Sequence, residues 1–139
     1  MIVFLDSSTI IYGLEFENSN SALILDLLTE KQIQAYINEK VIAEVKNYFR
    51  ARKGRNYAYL IEIFLKRNCI VIKNSELIDQ MKILKEKIKR KDLEHIATVR
   101  FKNIQWLVAF DEDFEGFPEY ITPEEFVNKM GLKAKSTKY

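Results

Sequence analysis

The chain has 139 residues, 47% of them hydrophobic, a size and apolar content that suit one packed domain and exclude a disordered or low-complexity protein. A net charge of only +2 excludes a uniformly basic or acidic chain, and the single cysteine, Cys69, excludes a disulfide framework and fits a reducing cytoplasm. No apolar run is long enough to span a bilayer, and the first residues lack the basic leader and cleavage site of a secretory signal, so a cytoplasmic chain with no membrane contact is expected.

Residues 2–5, apolar and rich in β-branched and aromatic side chains, are expected as the first strand, with Asp6 directly after it. Ser7 or Ser8 can cap a helix running to Leu14, and a second helix is expected over 21–28, where Ala22, Leu25 and Leu28 share a face. A strand over 33–37 leads to Asn38, the natural N-cap for a helix from Glu39 to about Ala51, in which Val41, Val45 and Tyr48 or Phe49 recur at core spacing. Beyond Gly54 the pattern repeats over 57–66, followed by a strand over 69–72. Ser75 opens a helix with Leu77, Met81, Leu84 and Ile88 inward, and after Asp92 the residues Leu93, Ile96, Ala97 and Val99 mark another.

A strand over 106–110 ends in Asp111-Glu112-Asp113-Phe114. Thr122-Pro123-Glu124-Glu125 then joins a capping hydroxyl, a first-turn proline and a glutamate that can bond back, so a helix starts there and stops at Gly131. Residues 1–131 are expected to form one domain and 132–139 a basic, disordered tail. Strands alternating with helices imply an α/β fold: a three-layer α/β/α sandwich around a mostly parallel sheet of four to five strands.

Five acids stand out within this order. Asp6, Asp111 and Asp113 follow strand ends, where an open α/β sheet binds its ligands. Glu44 lies among Val41, Ile42, Ala43 and Val45, toward the inward edge of its helix, and Asp92 opens a helix after Lys89-Arg90-Lys91. Alternation turns Glu112 away from the side shared by Asp111 and Asp113, while Glu94 reads as solvated. Each also has a structural role open to it: an N-cap for Asp6 or Asp92, and a pair with Lys40 or Tyr48 for Glu44. Several carboxylates gathered in one crevice need a counter-charge, and a hard divalent cation supplies it, which points to metal-dependent phosphodiester chemistry. His95, with no second imidazole in the chain, reads as helix surface or core.

Together these segments resemble the PIN domain family of nucleases, which includes the VapC toxins. The resemblance is carried by Asp6-Ser7-Ser8 after the first strand, Val41-Ile42-Ala43-Glu44-Val45, and Lys91-Asp92-Leu93-Glu94-His95-Ile96-Ala97-Thr98. It continues through Leu107-Val108-Ala109-Phe110-Asp111-Glu112-Asp113-Phe114 and Ile121-Thr122-Pro123-Glu124-Glu125-Phe126. It implies that Asp6, Glu44, Asp92 and Asp111 form the family's catalytic metal quartet, with Asp113 an additional carboxylate and Ser8 a polar neighbour. Ala109 stands where many members carry Thr or Ser, so one hydroxyl near the site is missing.

What the resemblance implies is an Mg²⁺- or Mn²⁺-dependent endoribonuclease with an RNA substrate, an antitoxin protein as partner and a homodimeric state. Arg50, Arg52, Lys53 and Arg55, interleaved with Tyr48, Phe49, Tyr57 and Tyr59, are the candidate substrate contacts, because cations neutralise phosphate and aromatic faces stack unpaired bases. The Lys85–Lys91 run leads toward Asp92 and offers a second cationic approach. The rival reading is a binding module on the same scaffold that does not cut, or an RNA-processing nuclease without an antitoxin. Other metal-binding α/β domains fit less well: a haloacid-dehalogenase-type phosphatase wants an acid where Ser8 stands, and an integrin-type site wants a hydroxyl at Ile10.

Overall fold

The computed structural model describes residues 1–84 and 90–135, with the side chains of 83, 84 and 90–92 outside the description. Its centre is a parallel sheet of five strands: β1 (Ile2–Leu5), β2 (Gln34–Asn38), β3 (Cys69–Ile72), β4 (Trp106–Val108) and β5 (Tyr120–Ile121). They lie in the order β3-β2-β1-β4-β5, so the chain builds outward from β1 on one side and then returns to build on the other. Register pairs Val3 with Ala35 and with Trp106. Val3, Phe4 and Leu5 have no exposure, as expected for a central parallel strand covered on both faces.

The helices are α1 (Ser7–Glu15), α2 (Asn20–Thr29), α3 (Glu39–Lys53), α4 (Arg55–Asn68), α5 (Ile78–Leu84), α6 (Arg90–Phe101) and α7 (Pro123–Lys129). Packing runs from α4 to α3, α1, α2 and α7 in one train, while α5 pairs with α6, which lies against β1, β2 and β4. The result is the three-layer α/β/α sandwich expected from the alternation of elements.

Local chemistry accounts for most boundaries. Asn38 caps α3 by accepting from the Val41 N–H at 3.0 Å, and Thr122 with Glu125 forms a reciprocal capping box at the start of α7. α3 carries Glu39 in its first turn and Arg50, Arg52 and Lys53 in its last, matching the helix dipole at both ends. Gly54, at φ +89, is the single residue between α3 and α4. Gly13 is needed for another reason: an added Cβ would meet Leu25 Cδ1 at 2.7 Å and the Ser21 backbone at 2.9 Å, so α1 and α2 approach too closely for any side chain there.

Four details depart from expectation. Ser7 and Ser8 lie inside α1 and Asp6 occupies the N-cap position, with its side chain committed elsewhere. β4 stops at Val108 because 112–114 form a 3-10 turn, capped by Asp111 Oδ1 accepting from the Asp113 N–H at 2.9 Å. The period-two argument about Glu112 therefore fails: both Glu112 and Asp113 are exposed and only Asp111 is half-buried. α6 is described from Arg90 on, so Asp92 lies within it and not at its N-cap, and part of the helix expected from Ser75 to Ile88 falls outside the described residues. At the far end, Asn20 clasps Lys135 through both backbone groups, its Nδ2 donating to the carbonyl at 2.8 Å and its Oδ1 accepting from the N–H at 2.6 Å.

Candidate metal site

The strand order reverses beside β1: β2 lies on one flank and β4 on the other. The ligand crevice of an open α/β sheet lies at the carboxyl ends of strands flanking such a reversal, and Asp6 and Asp111 follow β1 and β4 there. Asp6 itself is tied to β4, its N–H donating to the Val108 carbonyl at 3.1 Å.

Three potential ligand groups converge at this point, Asp6, Glu44 and His95, with ligand atoms within 4.8 Å of one another. The end of β1 supplies the first, α3 the second and α6 the third. His95 Nε2 lies 3.0 Å from Asp6 Oδ1 and 3.6 Å from Glu44 Oε1. Ser8 donates its hydroxyl to Asp6 Oδ2 at 2.7 Å and accepts from the Phe110 N–H at 3.4 Å, linking Asp6 to the backbone just before Asp111. Ser7 donates to Glu44 Oε1 at 3.3 Å. Glu44 thus faces the acid cluster, and the Tyr48 hydroxyl, one of its expected partners, donates to Glu15 instead.

Asp6 is 6% exposed and His95 3%. Burial alone raises the Asp6 carboxyl, but the hydrogen bond of His95, with those of Ser8 and the Ser7 N–H, outweighs it and leaves the group below its ordinary value. Burial depresses the His95 imidazole, yet the hydrogen bonds and charges of Asp6 and Glu44 overcome that and push it up to about 9, which would make it a cation at neutral pH. The hydrogen-bond pattern opposes that outcome. A second ring proton would have to enter at Nδ1, where Asn38 Nδ2 already stands at 3.1 Å, and Asn38 cannot turn its oxygen inward without releasing the Val41 N–H. The neutral Nε2–H ring satisfies every contact. The carboxylates therefore push His95 upward, and Asn38 holds it neutral.

His95 is the residue that sequence reasoning missed. Its signal was available, since it lies three residues after Asp92, the sequence spacing of one helical turn. What hid it was that its partners come from β1, β2 and α3. Its ring also packs against Phe4 at 5.1 Å and Phe114 at 6.2 Å between centroids. Glu94, read as solvated, is half-buried, and its Oε2 is enclosed without a hydrogen-bond partner among the described residues.

Asp111 stands beside this cluster but outside the converging trio among the described residues, and Asp113 is at the exposed 3-10 turn. The Asp92 side chain and the Lys85–Lys89 run lie outside the described residues. Arg50, Arg52, Lys53 and Arg55 are exposed where α3 meets α4. Arg52 lies eight positions after Glu44, or about 12 Å along one helix. Arg52 lies 3.6 Å over the Tyr48 ring and Lys53 5.8 Å over Tyr57, whereas Phe49 is buried and belongs to the core.

Two open clefts lie away from the acids. One is at the amino ends of the strands, around Met1, Gln34 and Cys69, and the other lies between α3, α4 and β3. Neither brings Asp6, Glu44 and His95 together, so neither is this site. The donor set of Asp6 and Glu44 does fit a hard divalent cation, because two carboxylates from different elements point at one place and a neutral His95 leaves their charge unbalanced. No helix among the described residues is long and apolar enough to cross a membrane.

Comparison with known proteins agrees with this architecture. A toxin-antitoxin complex from Klebsiella pneumoniae contains a chain that superposes with a TM-score of 0.69 at 17% identity, over 88% of this chain and 98% of that one. VapBC2 from Rickettsia felis, bound to a DNA fragment from its promoter, gives 0.62 at 21% identity, over 88% and 97%. VapC20 from Mycobacterium tuberculosis, a toxin that cleaves the sarcin-ricin loop, gives 0.59 at 21% identity, over 82% and 93%. A sequence comparison with curated proteins finds no match. The sequence pattern of the PIN domain matches residues 3–119, most of the chain, and the protein therefore belongs to the PIN domain family.

Proposed function

We propose that the chain is a metal-dependent endoribonuclease, the toxin of a VapBC-type pair. The observation that carries this reading is the convergence of Asp6 and Glu44 beside the strand-order reversal of a PIN domain. Mg²⁺ or Mn²⁺ held by Asp6 and Glu44, with Asp92, Asp111 and Asp113 as further acids of the crevice, would acidify the attacking water and stabilise charge on the phosphodiester. Ser8 and His95 keep the Asp6 carboxylate oriented, and Ser7 does the same for Glu44. Arg50, Arg52, Lys53 and Arg55 neutralise the phosphate backbone leading to the acids, with Tyr48 and Tyr57 beneath two of them.

The antitoxin reading draws on the toxin-antitoxin complexes from Klebsiella and Rickettsia and on the exposed Tyr59 and Leu60 of α4, an apolar pair available to a partner segment. Cleavage of a fluorescent RNA in Mg²⁺ or Mn²⁺ tests the activity. Asp6→Asn is the sharpest variant, because the new amide oxygen still accepts from His95 while its NH₂ meets a Ser8 hydroxyl free to reverse. We expect cleavage to fall at least about 100-fold with the fold intact. Binding without metal-dependent shortening would favour the non-cutting module, and undiminished cleavage by Asp6→Asn would remove Asp6 from the site.

A further inference from the structure

The hydrogen bonds around His95 close in only one way. Asn38 Oδ1 is engaged by the Val41 N–H, so the amide nitrogen faces both Thr98 Oγ1 at 3.1 Å and His95 Nδ1 at 3.1 Å. Thr98 spends its own proton on the Glu94 carbonyl at 2.7 Å, which leaves its oxygen as an acceptor. Both Asn38 N–H groups then have acceptors if Nδ1 carries a lone pair. The ring proton consequently sits on Nε2, aimed at Asp6 Oδ1.

A nitrogen that carries a proton does not ligate a metal. Although His95 lies close enough to Asp6 and Glu44 to complete a three-ligand site, its tautomer makes it a donor to them. Asn38, His95 and Thr98 are all buried, so water cannot substitute for a broken contact. With Ser8 holding one Asp6 oxygen and His95 the other, rotation of that carboxylate is blocked and its remaining lone pairs have one direction to face. The amide that fixes His95 also starts the helix that carries Glu44.

We propose that His95 is a positioning residue of this site and not one of its metal ligands: its Nε2–H, held in that tautomer by Asn38, orients the Asp6 carboxylate toward the cation. This rests on the metal-dependent reading above. Outer partners of this kind typically change metal affinity about 10- to 100-fold.

The experiment uses the full chain and Mn²⁺ alone. Pulsed EPR of the Mn²⁺-loaded protein is expected to lack the nitrogen coupling of a directly bound imidazole. Calorimetry is expected to give His95→Ala an affinity about 10- to 100-fold weaker, and His95→Gln, whose amide can still donate to Asp6, one within about 3-fold of the parent. Nitrogen NMR of the metal-free protein is expected to show a neutral ring protonated at Nε2. A nitrogen coupling that vanishes in His95→Gln would make His95 a ligand and overturn the proposal. So would parental Mn²⁺ affinity in folded His95→Ala, or a proton on Nδ1. If the folded parent takes up no Mn²⁺, the metal reading falls and this role falls with it; a retained Nε2–H signal distinguishes that failure from a wrong tautomer.

Discussion

Replacing Asn38 with alanine should cost far more than losing an ordinary helix cap. The cap on Val41 contributes about 1 kcal/mol, within a usual range of about 0.5–2. Removing Nδ2 also leaves the lone pair of His95 Nδ1 buried without a donor, and stranding such an atom costs about 1–3 kcal/mol. Thr98 adds little, because its hydroxyl keeps the Glu94 carbonyl. The sum is about 1.5–5 kcal/mol. Thr122→Ala is the matched control: it removes a solvent-accessible cap from α7, with the exposed bond of its hydroxyl to Glu125, strands no buried group, and should cost about 1 kcal/mol. Asn38→Ser separates the two parts, keeping a capping oxygen while losing the contact to His95, and should fall between them. Urea unfolding, compared by midpoint at equal slope, measures all three. If Asn38→Ala costs no more than Thr122→Ala, Asn38 is only a cap and the network argument is refuted.

Gly13→Ala gains up to about 1 kcal/mol in helix propensity but overpacks a contact with backbone that cannot retreat, at about 1–3 kcal/mol, so Tm should fall; a rise would refute the close approach of α1 and α2. Asp6, held below its ordinary value of 3.8, contributes stability that is complete above that pH and is lost as pH falls through the lowered folded value. The stability gap between the parent and Asp6→Asn, measured by unfolding at pH 7, 4 and 3, should therefore shift against the parent only below about pH 4; a shift confined to neutral pH would contradict the sign. Cys69 is buried, which pushes its thiol up to about 12, so iodoacetamide at pH 8 should label it only after unfolding, as mass spectrometry would report.

The elements most legible in the sequence were those whose chemistry is local. Asn38 and Thr122 announce helix starts by their own side chains, and the runs 2–5 and 69–72 are bounded by a sharp change from apolar to polar residues. A sheet of four to five strands was expected, but β5 is only two residues long, too short for any alternation to mark its position. The acids were legible as strand-end and helix-borne carboxylates, and the order of Asp6, Glu44, Asp92 and Asp111 carried the resemblance to the family. The part that failed depends on through-space geometry. The partners of His95, Asp6, Asn38 and Glu44, all lie far from it along the chain, and Asp111 spends one oxygen capping its own turn, a choice that strand periodicity cannot foresee.

Glu44 and the cations Arg50, Arg52 and Lys53 are mounted on one rigid rod, so the spacing between the acids and the basic surface is built in, not adjusted by a hinge. Single-residue exchanges along the rod leave that ruler unchanged. Insertion of one residue between Glu44 and Arg50 would not: it would swing the whole basic group about 100° around the axis while preserving every charge. Homologous chains should accordingly drift freely in composition along this segment while keeping its length.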